Sequence, residues 1–331
     1  MTAPGTDSTD RPLVCGLDLG GTKLLGVLLD PDDVDGGPLL ELRVPTPIGT
    51  DAVAAAILDV SRQLIDRAPT ELGRHVRATG LGAPGLVDRS GTLRYGPNLP
   101  GVIDEPFGAK LSAGLGMPVV VDNDATCAAW GEHERGASRG RNHSVLIALG
   151  TGIGGGMTVK GEVLRGANGF AGEPGHMVVD PTGPLCPCGR RGCWERYASG
   201  SGLGRMAREA AAEGRAPRLV ELAGGDPGRV RGEHVTVAAT EGDTAALSVL
   251  KLFGWWVALG IANIVNLLDP EIVVIGGGLV EAGALLMDPI EASYRELVMA
   301  YEHRPVVNIV AAQLGEHAGA VGAALLAAQR T

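Results

Sequence analysis

Apolar positions along this 331-residue chain fall into short runs, and most runs end on glycine or on a polar cluster. Leu13 to Leu29 is apolar but punctured by Gly20-Gly21, which predicts two strands joined by a tight turn. Residues 52–68 carry helical periodicity, with Asp51 placed as the cap. Val76 to Leu81 reads as a strand entering the loop Gly82 to Asp88, and Pro118 to Val121 as a short buried strand. Asp122 to His133 reads as a helix that opens on Asp and Asn side chains, whose oxygens accept the free N–H groups of a first turn. A second apolar stretch, Ser144 to Leu149, meets the glycine run 150–156, and Met157 to Val159 reads as the next strand. Residues 161–204 are loop-rich, and 224–232 is a surface segment of Gly, Pro and Arg. Asp243 to Leu268 is a long helix that places Trp255 and Trp256 in a core or at a subunit contact. Glu271 to Ile275 is a strand ending in Gly276-Gly277-Gly278; a helix, a strand near Val306 to Val310 and an Ala-rich terminal helix follow. Strands alternating with helices predict α/β architecture.

The pattern contains a weak internal repeat. Residues 17–23 and 147–153 each place an apolar strand, a glycine turn and a second apolar strand in that order. Gly20-Gly21-Thr22 and Gly150-Thr151-Gly152 suit phosphate, because bare backbone N–H groups can approach an anion. Lys23 adds charge to the first turn, and Asp18 just before it is placed to organise Mg²⁺ through water. Either turn alone is more often a plain hairpin than a ligand site; the pair shifts the balance toward phosphate. Gly150, Gly152 and Gly155 also satisfy the dinucleotide fingerprint, but that motif needs a helix next, and residues 157–161 read as strand and turn. Gly276-Gly277-Gly278 suits a nucleotide base or ribose, or a compact strand-to-helix connection.

Asp122-Asn123-Asp124 stands where a buried strand becomes a helix. Asp122 or Asn123 can cap, leaving Asp124 to accept a proton from a substrate hydroxyl. Cys186, Cys188 and Cys193 lie within eight residues among glycines, a spacing suited to one metal ion. Four-coordinate Zn²⁺ needs one more ligand, and His176 is the nearest histidine; such a closed site is structural. Glu173 and Glu195 bracket the cluster, where carboxylates can accept hydrogen bonds from sugar hydroxyls.

Composition narrows the classes. Glycine supplies 52 residues, roughly twice the usual ~7% share, without a three-residue period, so collagen is excluded. Aromatic residues make up only 3% against 45% hydrophobic, so the core must be aliphatic. A formal net charge of −10 argues against a nucleic-acid-coating surface. Residues 1–12 form a polar leader without the apolar core of a secretory signal, and no apolar run suits a membrane span. Five cysteines, three of them clustered, do not make a disulfide framework, so a cytoplasmic protein is expected.

Together the segments 18–23, 121–124, 149–156, 173–176 and 186–195 resemble the ROK family of sugar kinases and related repressors, in family order and over most of the chain. The resemblance implies an actin-like, ribonuclease-H-like α/β fold of two lobes with a cleft between them. It implies a smaller lobe over 1–121 completed by 316–331, and a larger lobe over 122–315 holding the zinc segment 176–193. It implies transfer of the ATP γ-phosphoryl group to the 6-hydroxyl of a hexose, with Mg²⁺ and a structural Zn²⁺, glucose being the first expectation. By motif, Asp124 is the general base; Asn98, Asn123, Glu173, His176 and Glu195 bind the sugar; Gly276, Gly277 and Gly278 form the adenosine side. His176 serves both sugar and zinc, one ring nitrogen each. N-acetylmannosamine or N-acetylglucosamine is the alternative substrate, and polyphosphate an alternative donor that the zinc segment disfavours. A repressor of the family needs a winged-helix domain ahead of the first strand, which starts here near Leu13. No nucleic-acid or membrane partner is expected; a homodimer or homotetramer is.

Overall fold

The computed structural model of the chain describes residues 11–97 and 99–330. The chain opens with β1 (Leu13–Leu19), β2 (Lys23–Leu29), β3 (Leu40–Pro45), α1 (Thr50–Arg67), β4 (Val76–Ala83), β5 (Leu86–Val87), β6 (Leu93–Tyr95) and β7 (Ile103–Glu105). It continues through α2 (Phe107–Leu115), β8 (Val119–Asn123), α3 (Asp124–Arg135), β9 (Ser144–Leu149), β10 (Ile153–Val159) and β11 (Glu162–Val163). There follow α4 (Glu195–Ala198), α5 (Gly200–Ala212), α6 (Pro217–Leu222), α7 (Gly232–Thr240) and α8 (Thr244–Leu268). The last elements are β12 (Ile272–Gly276), α9 (Ala284–Leu297), β13 (Asn308–Ala311) and α10 (Ala318–Gln329).

The chain divides into two compact units. The first holds residues 1–142, 156–172 and 313–331, the second 143–155 and 173–312. This differs from the expected boundary at 121/122: α3 belongs to the first unit. The reason is close helix packing. A Cβ on Gly131 of α3 would lie 2.6 Å from the carbonyl oxygen of Ala318, and one on Gly322 of α10 would overlap that of Cys127.

The first unit is built on a five-stranded sheet of order β3-β2-β1-β4-β8. β2 runs antiparallel to β1 and β3, while β1, β4 and β8 are parallel. One face carries α1, whose Val53, Ile57, Val60 and Leu64 pack with Leu17, Leu24 and Leu28. The other face carries α10, where Ala320, Ala323, Ala324 and Ala327 pack with Val14, Val27 and Ala78. A side chain on Gly16 or Gly80 would overlap the α10 backbone at Ala320 or Ala323, so the helix lies directly on β1 and β4. That contact explains an alanine-rich terminal helix buried on all sides.

In the second unit β9, β12 and β13 are parallel neighbours. Its long helix α8 is apolar because Phe253, Val257, Ile261 and Val265 are buried. By length and composition alone this 25-residue helix could cross a membrane, yet most of its most apolar stretch is buried.

Several expectations are corrected. No side chain caps α1; Gly49 occupies its N-cap and Asp51 sits within the first turn, where its negative charge complements the helix dipole's positive end. The stretch read as loop beyond 200 is helical, with α5 burying Leu203, Met206, Ala207 and Ala210 despite three glycines. The segment 212–232 contains α6 and a short 3-10 turn at Pro227–Arg229. β10 begins at Ile153, four residues earlier than expected, and confirms that strand rather than helix follows the glycine run.

Candidate active site

In the first unit, β1 delivers Asp18 to the edge of an exposed turn, Gly20-Gly21-Thr22, closed by the Gly20 N–H donating to the Lys23 carbonyl at 2.9 Å. The Thr46 hydroxyl donates to the Gly20 carbonyl at 2.7 Å and holds the turn from β3's end. Asp18 faces the first turn of α10, where a Cβ on Gly319 would lie 2.7 Å from its carboxyl carbon. Burial, reinforced by the nearby Asp124 charge and opposed by Lys23, pushes the Asp18 carboxyl up to about 7.

β8 ends and α3 begins at the Asn-Asp pair. Asn123 is the N-cap, accepting from the Thr126 N–H at 2.9 Å. Its amide donates to the Gly85 carbonyl at 3.1 Å, which fixes the side chain. Asp124 is thereby released from capping; its carboxylate accepts the Ala125 N–H at 2.8 Å. Burial raises the Asp124 carboxyl above its ordinary range, partly offset by hydrogen bonds from the Ala125 and Asp124 N–H groups and the Asn123 amide. Raising an ionised carboxylate's proton affinity makes it a better base.

Two partners were missed by sequence reasoning. Asp122 accepts from Arg165 at 2.6 Å, with both side chains largely buried. Lys23 does not stand free at the turn: its ammonium pairs with Glu316 at 2.7 Å, and Glu316 also takes Arg43 at 2.6 Å. Both partners lie far away in sequence, so no local pattern signals them.

The second unit holds the other turn. The Gly150 N–H donates to the Gly152 carbonyl at 3.0 Å, while the Gly150 carbonyl accepts the Gly200 N–H and the Thr151 carbonyl the Ser201 hydroxyl, both at 2.8 Å. Gly277, at φ 85, lies against the end of β9, where any side chain would overlap the Leu149 backbone. Gly276 to Gly278 therefore abuts the Gly150 turn.

His176, Cys186, Cys188 and Cys193 place one ligand atom each within 4.8 Å of one another. Tetrahedral zinc with ~2.3 Å bonds to sulfur needs ligand atoms about 3.8 Å apart. The observed Cys188–Cys193 sulfur separation of 3.5 Å and Cys186 Sγ–His176 Nδ1 separation of 3.9 Å fit that geometry. Gly189 and Gly192, at φ 86 and 69, make the reversals that bring the thiols together. His176 Nδ1 faces Cys186, and Nε2 faces Glu173 at 3.9 Å. Glu195 Oε1 lies 3.9 Å from His176 Nδ1 and accepts from the Cys186 thiol at 3.0 Å. A Cβ on Gly152 would lie 2.7 Å from Glu195 Oε2, so Glu195 joins the knuckle to the glycine turn. Asn98 lies outside the described residues.

An α/β chain carrying two strand–glycine turn–strand segments, a half-buried carboxylate opening a helix and a Cys₃His knuckle defines a class, and the family follows from it. The chain belongs to the ROK family, whose model matches residues 14–330. It has the actin-like α/β fold of that family's kinases. It is 40% identical over 318 residues to a glucokinase of Streptomyces coelicolor, covering 95% of this chain and 97% of the relative. It is 35% identical over 319 residues to a glucokinase of Thermotoga maritima, covering 95% and 97%. A solved ROK family glucokinase from Streptomyces griseus, in complex with glucose and AMPPNP, matches with a TM-score of 0.83 at 39% identity, covering 96% of this chain and 99% of that one.

Proposed function

We propose that this chain is an ATP-dependent glucokinase that transfers the γ-phosphoryl group to the 6-hydroxyl of glucose. The observation that carries the reading is Asp124: a half-buried carboxylate with raised proton affinity, freed from capping by Asn123. As the bond from the sugar O6 to the γ-phosphorus forms and the bond from that phosphorus to the bridging oxygen breaks, Asp124 takes the hydroxyl proton and ADP leaves. Asn123, Glu173, His176 Nε2 and Glu195 orient the sugar hydroxyls, with Asn98 assigned to the same role. The bare N–H groups of Gly20, Gly21 and Thr22 and of Gly150, Thr151 and Gly152 take the phosphates, and Gly276 to Gly278 the adenosine. Lys23 can exchange Glu316 for a phosphate, because their ion pair is nearly half exposed and such pairs are worth about 1 kcal/mol or less. Mg²⁺, when bound, neutralises charge on the transferring group, and Asp18 is the residue to hold it through water. Zinc on Cys186, Cys188, Cys193 and His176 Nδ1 acts structurally, fixing the His176 ring for the sugar. A cytoplasmic location and a homodimer or homotetramer belong to the same reading.

The test is a coupled assay with ATP or polyphosphate as donor across glucose, mannose, fructose and the N-acetylhexosamines. Glucose with ATP should give the highest kcat/KM. Preference for an N-acetylhexosamine would move the substrate assignment, and no turnover with any hexose would overturn the reading.

A further inference from the structure

The largest fully buried side chain among the described residues, Trp194, stands between the zinc ligand Cys193 and the sugar carboxylate Glu195. Its ring sits in a notch on α8. A methyl group on Gly260 would overlap Cε2, Cζ2 and Cδ2 of the indole, which is rigid and fully enclosed. Its Nε1–H donates to the Trp256 carbonyl at 2.7 Å, one turn before Gly260. That carbonyl lies inside a helix, so the indole fixes both depth and direction. The Trp194 N–H is held by the Met177 carbonyl at 2.8 Å, and the Trp194 carbonyl takes the N–H groups of Tyr197 and Ala198, both at 2.9 Å, which starts α4. Tyr197 then stacks on Trp256 at 4.0 Å between ring centroids. The short helix that carries Glu195 is thus bolted to α8 at two aromatic points.

Glu195 has little freedom left beyond that anchor. One oxygen faces the metal knuckle, 3.9 Å from His176 Nδ1, and the other abuts Gly152. We infer that the Trp194 indole, seated in the Gly260 notch of α8, is the positioning element that sets Glu195 for the sugar hydroxyls. The metal knuckle borders the same carboxylate on its other side, at His176 and Cys186. Gly260 is then a specificity-determining position 65 residues away from the carboxylate it places. Trp194 and Gly260 touch neither substrate in this assignment and act through Glu195. The inference rests on the glucokinase reading, in which Glu195 binds the sugar.

The experiment compares Gly260→Ala, Trp194→Leu and the double variant with wild type. Metal content, KM for glucose, KM for ATP and kcat are measured for each. The added methyl group of Gly260→Ala must push the indole out and carry Glu195 with it. Glu195 then loses charge-assisted hydrogen bonds that hold the sugar in ground and transition states alike, so KM for glucose should rise about 10-fold or more. KM for ATP should stay within about twofold and zinc should be retained, which a merely destabilised chain would not select. Trp194→Leu in the Gly260→Ala background makes room for the methyl group and should restore part of the glucose KM. Where Gly260→Ala yields no folded protein, Trp194→Phe removes the hydrogen bond to Trp256 without a clash and should show the same glucose-selective rise. An unchanged glucose KM in the folded single variants, or equal losses for glucose and ATP, would overturn the inference. A wild-type chain inert toward every hexose would instead overturn the glucokinase reading on which it stands.

Discussion

Glu132 offers the sharpest test of how the first unit is held together. It is fully buried near the end of α3. Its carboxylate accepts three backbone N–H groups: Ala137 at 2.7 Å, Gln313 at 3.1 Å and Leu314 at 2.7 Å. The first belongs to the loop after α3, and the others to the strand-to-helix passage that re-enters the first unit at Gln313. Glu132→Ala would leave three buried donors without partners. Each orphaned donor costs ~1–3 kcal/mol, and neighbouring losses are not additive, so about 3–5 kcal/mol of stability should disappear. That is a large share of the ~5–15 kcal/mol a domain has in total. Glu132→Gln is the more discriminating change. Its amide oxygen can keep the two bonds made by Oε2, but its NH₂ group would face the Leu314 N–H, donor against donor. About 1–3 kcal/mol should be lost by a substitution that is nearly isosteric. Urea unfolding followed by circular dichroism reads both values from the midpoint at constant slope. A loss below about 1 kcal/mol for Glu132→Ala would refute the idea that this carboxylate holds the re-entry point.

Three further outcomes are expected. Asp124→Asn should lower kcat about 100-fold to 10,000-fold while leaving the melting temperature near wild type, and near-normal turnover would remove it as the base. Asp18 carries its proton up to about pH 7 in the folded chain against an ordinary value of 3.8, so the folded state binds the extra proton between those limits. The stability it contributes is complete below that window and is lost as pH rises through it; the melting advantage of Asp18→Asn over wild type should therefore grow from pH 4 to pH 7. A pH-independent difference would contradict the burial of that carboxyl. Metal analysis should return about one zinc per chain, and chelation should lower the melting temperature; a metal-free chain of unchanged stability would rule out the Cys₃His assignment.

Local chemistry made much of the site legible. A cap at Asp122 or Asn123 was legible because capping needs only a short polar side chain and the next three residues; the structure gives that role to Asn123. The Cys186–Cys193 spacing likewise implied a metal knuckle, since closing it needs only glycines within the same eight residues. Helices such as α5 and α6 escaped notice because glycines in and around them read as loop, whereas buried Leu203, Met206 and Leu219 stabilise them through tertiary contact. Glu316 and Arg165 could not be assigned partners, because ion pairs across hundreds or tens of residues leave no period in the sequence.

The strand–glycine turn–strand segments, the helix cap and the metal knuckle are legible without any fold, because each is set by interactions within a few residues. The tertiary structure alone decided what many of the remaining glycines do. Gly16 and Gly80 let α10 lie on the sheet, Gly131 and Gly322 let α3 lie on α10, and Gly260 seats Trp194. A missing Cβ matters at these positions because another segment's backbone or ring fills that space, and which segment does so is fixed only when the core packs.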